Sequence, residues 1–315
     1  MTLLQLRILR ETVRHEFNLS KAADTLCTSQ SGLSKHIKDL EHELGMPLFQ
    51  RHGKRLLGLT EGGQAILPMV NRIIQDSENL KGIAQDLRQA DQGQLTIATT
   101  HTQARYTLPK PIAAFKQQFP KVHLALKQAD PNEIRELVLA GDADIGIATE
   151  VLAEDAALVS LPFYEWQHCV IAPRGHPLSQ LSASGQAALT LSDICQWPLI
   201  TYHDGFTGRS RIDRTFRQAG LTPDIALSAL DADVLKTYVA LGMGIGIIAG
   251  PAFDPEQDQR LSQIPIDFFG KNTTWIAFRK GHLLRGFART FIQLCNPEIL
   301  SDSPRNPAAA MLHRP

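Results

Sequence analysis

The residues best placed to do chemistry lie in one short stretch, Thr99-Thr100-His101-Thr102-Gln103-Ala104-Arg105-Tyr106. It follows a strand-like run, Gln94 to Ala98, and precedes a helix-like run from about Leu108. In an open α/β sheet such a turn sits at the carboxyl end of a strand, where ligands bind. The first N–H groups of a helix lack intrahelical partners and point the same way. Neutral hydroxyl and amide donors beside a helix N-terminus form a socket for a small anion. A single Thr would read as an ordinary N-cap. Three Thr and a Gln at one turn read as a ligand site.

A second anion-binding turn is Gly205-Phe206-Thr207-Gly208-Arg209-Ser210, between a strand ending at Tyr202 and a helix from Arg209. Its glycines free the backbone to present N–H groups, and Thr207 adds a hydroxyl. Thr149 ends a further strand, Asp144 to Ala148. Thr100, Thr102, Gln103, Thr149 and Thr207 can therefore converge on one anion such as sulfate without a buried counter-charge. Arg105 and Arg209 could add positive field or could pair with surface carboxylates. Gly244-Ile245-Gly246-Ile247-Ile248-Ala249 matches the dinucleotide fingerprint, but a helix precedes it and a strand follows, the reverse of the required order. There is no Ser-His-Asp order, metal cluster or phosphate loop to mark an enzyme, so catalytic residues, metal and cofactor are all expected to be none.

The elements that must hold these residues alternate strand and helix after Gly93: helices 111–119, 133–140, 209–219, 232–241 and 283–295, strands 122–127, 143–149, 167–172, 198–202, 245–249 and 273–279. Alternation gives parallel sheet covered by helices. The predicted fold is an α/β effector domain of two Rossmann-like lobes, periplasmic-binding-protein-like, spanning 93–300. Lobe I is 93–162 with 266–300, lobe II is 163–265, and a cleft lies between them. Residues 301–315 read as a frayed tail.

Ahead of it stands a different pattern. Leu3, Leu6, Leu9, Val13 and Phe17 space as an amphipathic helix. Ser20 reads as the N-cap of a short second helix with Ala22, Ala23 and Leu26 on its packed face. A third helix opens at Ser29, buries Leu33, Ile37, Leu40 and Leu44, and ends at Gly45. Two short helices joined by a tight turn, with polar residues opening the second, form a helix-turn-helix. Gln30 and Ser34 can reach base edges, and Thr28, Ser29, Ser31, Lys35 and Lys38 lie beside them to meet DNA. Residues Phe49 to Thr60 read as a β-wing, with Gly53 at its turn and Arg51, Lys54 and Arg55 facing phosphate. Residues 1–60 carry nine Lys/Arg against six Asp/Glu, whereas the whole 315-residue chain has a net charge of +0. The basic bias is thus local to residues 1–59, the predicted winged helix-turn-helix domain.

Between the two, Ile66, Val70, Ile73, Ser77, Leu80, Ala84 and Leu87 repeat at steps of four and three. That heptad predicts a dimerisation helix over 60–92, bent near Pro68 and closed by the polar hinge 89–93. Cys27, Cys169, Cys195 and Cys295 are far apart and form no C-x-x-C pair, as expected for free thiols in a reducing cytoplasm. No apolar run reaches about 18 residues, so no membrane association is expected.

The segment Leu19 to Thr60 resembles the winged helix-turn-helix of LysR-type transcriptional regulators. It carries Ala22-Ala23, Thr28-Ser29-Gln30-Ser31, Leu40-Glu41, Glu43-Leu44-Gly45, Leu48-Phe49 and Arg51. Thr99 to Tyr106, Ala143-Asp144, Ile147 to Glu150, Gly205 to Ser210 and Asp231 to Val234 extend the likeness to the CysB and Cbl branch of that family. The resemblance implies a cytoplasmic regulator, mainly an activator, of sulfate assimilation, cysteine biosynthesis or organosulfonate genes. It implies sulfate, N-acetylserine, O-acetylserine or adenosine phosphosulfate as effector, held by Thr100, Thr102, Gln103, Thr149 and Thr207. It also implies promoter DNA and RNA polymerase as partners, and a homotetramer. A transport protein binding sulfate or an amino-acid derivative is the alternative.

Overall fold

A computed structural model describes residues 1–53, 55–88, 91–149, 151–179, 189–206 and 208–297. Lys54, Thr207, part of the 89–93 hinge and the 301–315 tail lie outside the described residues. The chain divides into two compact units, Met1–Leu87 with Gly281–Leu283, and Arg88–Lys280 with Leu284–Pro315.

The first unit begins with three helices, α1 (Leu3–Arg14), α2 (Leu19–Thr25) and α3 (Gln30–Leu44). Asn18, not Ser20, caps α2, because its side chain accepts from the Ser20 and Lys21 amides at 3.1 Å each. Phe17 falls outside α1, at φ +65°. Leu33, Ile37 and Leu40 are buried, whereas Leu44 at the last turn is 37% exposed. Gly45 ends α3 at φ +67°, a conformation a side chain would strain. The wing is the antiparallel pair β1 (Phe49–His52) and β2 (Arg55–Leu59), turned at Gly53 with φ +62°.

Helix α4 (Glu61–Arg88) follows, and the Thr60 hydroxyl accepts from the Gly63 amide at its start. Pro68 does not interrupt it. The heptad row divides in two. Val70 is buried, with Ile74 beside it, in the core of the head, while Met69, Ile73, Leu80 and Ile83 face solvent.

The second unit opens with β3 (Gly93–Thr99), α5 (Pro109–Gln118), β4 (Val122–Gln128), α6 (Pro131–Ala140) and β5 (Ile145–Ala148). Strand β3 runs parallel to both β4 and β5. A single strand, β6 (Leu158–Pro173), then crosses both lobes. It extends nine residues ahead of the expected 167–172. The remaining elements are α7 (Leu191–Ile194), β7 (Leu199–Tyr202), α8 (Arg209–Gln218), β8 (Ile225–Ala229), α9 (Ala232–Ala240), β9 (Ile245–Ala249), β10 (Leu261–Pro265), β11 (Lys271–Arg279) and α10 (Gly286–Cys295). The strand order is β4-β3-β5-β11-β6-β9-β7-β8, with β10 also on β6. The first half of β6 pairs with β11, and the second half pairs with β9 and β10. The expected strands do not include β8 and β10, since Ile225–Ala229 and Leu261–Pro265 are only five residues each and show no clear alternation of apolar and polar residues.

Lobe I packs Leu95, Ile97, Phe115, Ile145, Leu161, Ile276 and Phe291 into one core. Lobe II covers both faces of its sheet, with Ile200, Tyr202 and Val239 on one and Ile212, Phe216 and Ile247 on the other. The glycines of 244–249 serve this packing: a Cβ at Gly246 would stand 2.6 Å from Ile171 and 2.9 Å from Val239.

Candidate functional site

The N-terminal unit builds its surface from helix caps. Ser29 caps α3, its hydroxyl accepting from the Gly32 amide at 3.1 Å and lying 3.2 Å from that of Ser31. The buried row Leu33, Ile37, Leu40 turns Thr28, Ser29, Gln30, Ser31, Lys35 and Lys38 outward, with Ser34 half-buried. Arg55 is exposed on the wing. Arg51 is exposed as well, but is bonded to Glu41 Oε2 at 2.8 Å. Glu41 Oε1 in turn accepts from the Leu48 and Phe49 amides at 2.9 and 3.2 Å, so Arg51 fastens the wing to α3.

In the second unit, the 99–106 stretch is not a loop. Thr100 follows β3, and the chain turns into helix at once, with Ala104 N–H donating to the Thr100 carbonyl. Residues Gln103–Thr107 form a π-helical turn, sealed by Leu108 N–H donating to the Gln103 carbonyl. Single π-turns of this kind recur at functional sites. Thr102 makes no side-chain cap hydrogen bond, so the ordinary capping role does not account for it.

Thr100, Thr102 and Gln103 are all buried, at 7%, 2% and 1% exposure. Gln103 is engaged at both ends of its amide: its Oε1 accepts from the Tyr164 hydroxyl at 2.7 Å and its Nε2 donates to Thr274 Oγ1 at 3.3 Å. Trp166 Nε1 also donates to Thr274, at 3.1 Å. The buried Tyr202 hydroxyl accepts from the Ala249 amide at 3.1 Å. Burial pushes the Tyr202 hydroxyl well above its usual range, so it stays neutral. The turn reaches lobe II through Tyr106, whose hydroxyl donates to Asp233. In the parallel pairing of β3 with β5, Thr99 is level with Ile147, so Thr100 and Thr149 leave adjacent strand ends.

The second turn approaches the same region from lobe II. Gly208 has φ +73°, and a Cβ there would stand 2.7 Å from the His168 ring and 3.2 Å from Asn272 Oδ1. Only glycine allows the turn to press on these buried groups. Thr149 and Gly208 share the lining of a cavity of about 270 Å³ with Ser210, Arg211 and Asn272. Thr100, Thr102 and Gln103 are not among its lining residues. The structure therefore joins three of the expected residues on one turn and sets Thr149 across the neighbouring strand end. Thr207 lies outside the described residues.

Both conspicuous arginines are paired. Arg209 bonds Asp213 at 2.7 Å and the Tyr202 carbonyl at 2.5 Å. Arg105 stands 3.6 Å from Asp233 and bonds Gln257 at 3.3 Å. Asp233 also accepts from the Tyr106 hydroxyl at 2.6 Å and lies 3.4 Å from Lys236. Burial raises the Asp233 carboxyl, but the Tyr106 hydroxyl, Lys236 and Arg105 outweigh it and hold it below its usual range. His101, Asp231 and Asp233 have donor atoms within 4.8 Å of one another, close enough for a metal ion. Lys236 and Arg105 already meet the Asp233 charge.

Five side chains escaped the sequence reading: Tyr164, Trp166 and His168 on β6, and Asn272 and Thr274 on β11. The pairing sets Asn272 opposite Trp166 and Thr274 opposite Tyr164. Period-two alternation in Tyr164-Glu165-Trp166-Gln167-His168 was the available signal, since alternate residues share a face.

Residues 3–64 match the family model described as a bacterial regulatory helix-turn-helix protein of the lysR family, and residues 88–299 match the LysR substrate binding domain. The chain is 49% identical to the HTH-type transcriptional regulator SsuR of Burkholderia cenocepacia, over 95% of this chain and 96% of that protein. It is 48% identical to the HTH-type transcriptional regulator cbl of Escherichia coli K12, over 94% and 92%. The crystal structure of the cofactor-binding domain of the Cbl transcriptional regulator superposes with a TM-score of 0.63 at 45% identity, covering 71% of this chain and 95% of that one.

Proposed function

The chain belongs to the LysR family of helix-turn-helix transcriptional regulators, and from that premise we propose that it activates genes of sulfate assimilation, cysteine biosynthesis or organosulfonate use. One observation carries the effector part of this reading: Thr100, Thr102 and Gln103 are buried together where β3 turns into helix, at the seam of the two lobes. Neutral donors at a helix start favour an anion such as sulfate, or the acidic end of a sulfur-pathway metabolite such as N-acetylserine, O-acetylserine or adenosine phosphosulfate. Thr149 and Thr207 complete the site. Tyr106 on the same turn already bridges the lobes to Asp233, so an anion drawn into the turn would alter that bridge. Effector and DNA are then coupled through lobe placement.

Promoter DNA is met by Thr28, Ser29, Gln30, Ser31, Ser34, Lys35 and Lys38 on α3 and by Lys54 and Arg55 on the wing, with Arg51 bracing the wing. The exposed row Met69, Ile73, Leu80 and Ile83 on α4 supplies a dimer face, two dimers make the tetramer, and RNA polymerase is the downstream partner in the cytoplasm. The solute-transport alternative is not favoured, because the helix-turn-helix match over residues 3–64 has no part in transport.

Thr100→Val tests the site. It keeps the shape and removes the hydroxyl, and should weaken sulfate binding to the full-length protein about tenfold, the worth of one charged hydrogen bond. Effector-dependent transcription of a sulfur-gene promoter should fall with it. Unchanged sulfate affinity and unchanged activation would remove the proposed site.

A further inference from the structure

Helix α4 carries two faces whose angle to one another is fixed by the helix itself. Ile66, Val70, Ile74 and Glu78 follow at steps of four, so they share one side. Val70 and Ile74 are buried in the core of the head with Leu6 and Leu9 of α1, and Ile66 packs against that core. Glu78 continues the row one turn further and meets a cation there: Arg10 Nη1 on α1 donates to Glu78 Oε1 at 3.4 Å. The second face is the exposed row Met69, Ile73, Leu80 and Ile83. Successive helical residues are about 100° apart, so Met69 and Ile73 lie that far round from Val70 and Ile74. Arg10 is itself held in place. Its Nε donates to Glu11 Oε1 at 3.1 Å, and the Glu11 side chain is 5% exposed, with Arg14 3.7 Å from its other oxygen. Two edges of one guanidinium therefore engage two carboxylates, one on α1 and one on α4. A planar fork already fixed by one partner loses less freedom in binding the second.

We propose that the Arg10–Glu78 pair sets the spacing between operator half-sites that this regulator accepts. The proposal rests on the reading of α4 as the dimer helix given above. Both side chains are partly exposed, so the pair adds little to stability. What it fixes is direction. The apolar seat at Ile66, Val70 and Ile74 is non-directional and lets the head pivot on α4. A charged hydrogen bond one turn further out on the same side stops the pivot. In a dimer joined through Met69, Ile73, Leu80 and Ile83, the angle between that seam and the buried row decides where each α3 lies. Two-fold readers hold their recognition helices at one separation, and the half-sites mirror it. One added base pair shifts a half-site by about 3.4 Å and turns it by roughly a tenth of a helical turn. A braced head cannot follow that shift, whereas a pivoting head can. Arg10 and Glu78 are thus positioning residues, apart from the groups proposed to meet DNA.

The probe is a duplex site selected from random DNA by the full-length protein. It is compared with the same site carrying one extra base pair between its half-sites, and with a single half-site. Fluorescence anisotropy reads the affinities. The extra base pair should cost the wild type about tenfold, the scale of a mismatched base pair. R10Q and E78Q should each cut that penalty to about threefold or less, and R10Q/E78Q should go no further, because the two residues share one interaction. Affinity for the single half-site should stay within about twofold, as for partly exposed ion pairs away from the DNA. E78Q leaves the Arg10–Glu11 pair in place, so it tests the brace even where R10Q lowers the melting temperature. An undiminished penalty in E78Q overturns the proposal, as does a wild type that accepts the extra base pair without loss. Lost half-site affinity with an unchanged spacing penalty also overturns it, because the pair would then be merely structural. Sedimentation separates the two readings. A wild-type monomer defeats the dimer reading and the proposal with it, whereas a dimer whose variants keep the full penalty defeats the proposal alone.

Discussion

In the head, most of the groups proposed to meet DNA come from one run of sequence, Thr28 to Lys38, and most of those stand in solvent. In the effector-binding unit, Gln103 is 1% exposed and meets Tyr164 and Thr274, 61 and 171 residues away. The head places its chemistry with local devices: a cap at Ser29, a buried Leu33-Ile37-Leu40 row, a glycine stop at Gly45. The second unit places its chemistry by strand pairing across the chain. A surface reader can therefore change residues without cost to its scaffold. In the buried socket, Gln103, proposed to bind the ligand, is also a structural group.

The largest expected effect tests that contrast directly. Gln103→Leu removes the acceptor of the Tyr164 hydroxyl and a donor to Thr274, leaving buried polar groups to find other partners. It should destabilise the effector-binding unit by about 1–3 kcal/mol. Gln30→Ala, on the exposed start of α3, should move stability by less than about 0.5 kcal/mol while weakening operator binding. Urea unfolding and a DNA-binding titration on both variants decide it. Equal stability losses would erase the distinction between the two regions.

The same contrast explains what was legible in the sequence. Helix spacing and cap residues fix α3 and the wing, because helix contacts recur every three or four residues and the wing turns on one glycine. Even there, the cap of α2 was assigned to Ser20 when Asn18 holds it, since either residue type can cap and only the backbone turn at Asn18 decides. In the second unit the Thr-rich turn was legible from composition. Its partners were not. Strand β6 carries Pro162 and a bulge opposite the Thr274–Trp275 step, which hid its first half as strand. Nothing near Tyr164 in sequence announces that it will face Gln103. That follows only from the register of β6 on β11.

A smaller effect belongs to the head. Asn18→Ala removes the acceptor of the Ser20 and Lys21 amides and should cost about 1 kcal/mol. The cost should fall on the head alone, read as loss of operator affinity at raised temperature with effector binding unchanged. A matching loss of effector binding would show that local caps in the head also govern the socket.

The smallest effect lies in pH, at the junction of the lobes. Asp233 gathers Tyr106 and Arg105 from the turn that follows the socket and Lys236 from its own helix. Burial raises its carboxyl, but those partners leave it below the ordinary aspartate value of 3.8. A depressed carboxyl contributes stability that is fully present above its unfolded value and is lost as pH falls through its folded value. The wild type should therefore keep this contribution at neutral pH and lose it below about pH 4, on the acid side of that range. Asp233→Asn cannot gain the proton, so the gap between wild-type and variant melting temperatures should narrow as the pH drops from 6 toward 3. Because the Asp233 side chain is 41% exposed, added salt should shrink the gap at pH 6 as well. A gap that stays constant through that acid range would mean that Asp233 holds the lobes by shape and neutral hydrogen bonding alone. The junction would then resemble the buried Gln103 network more than a charged latch.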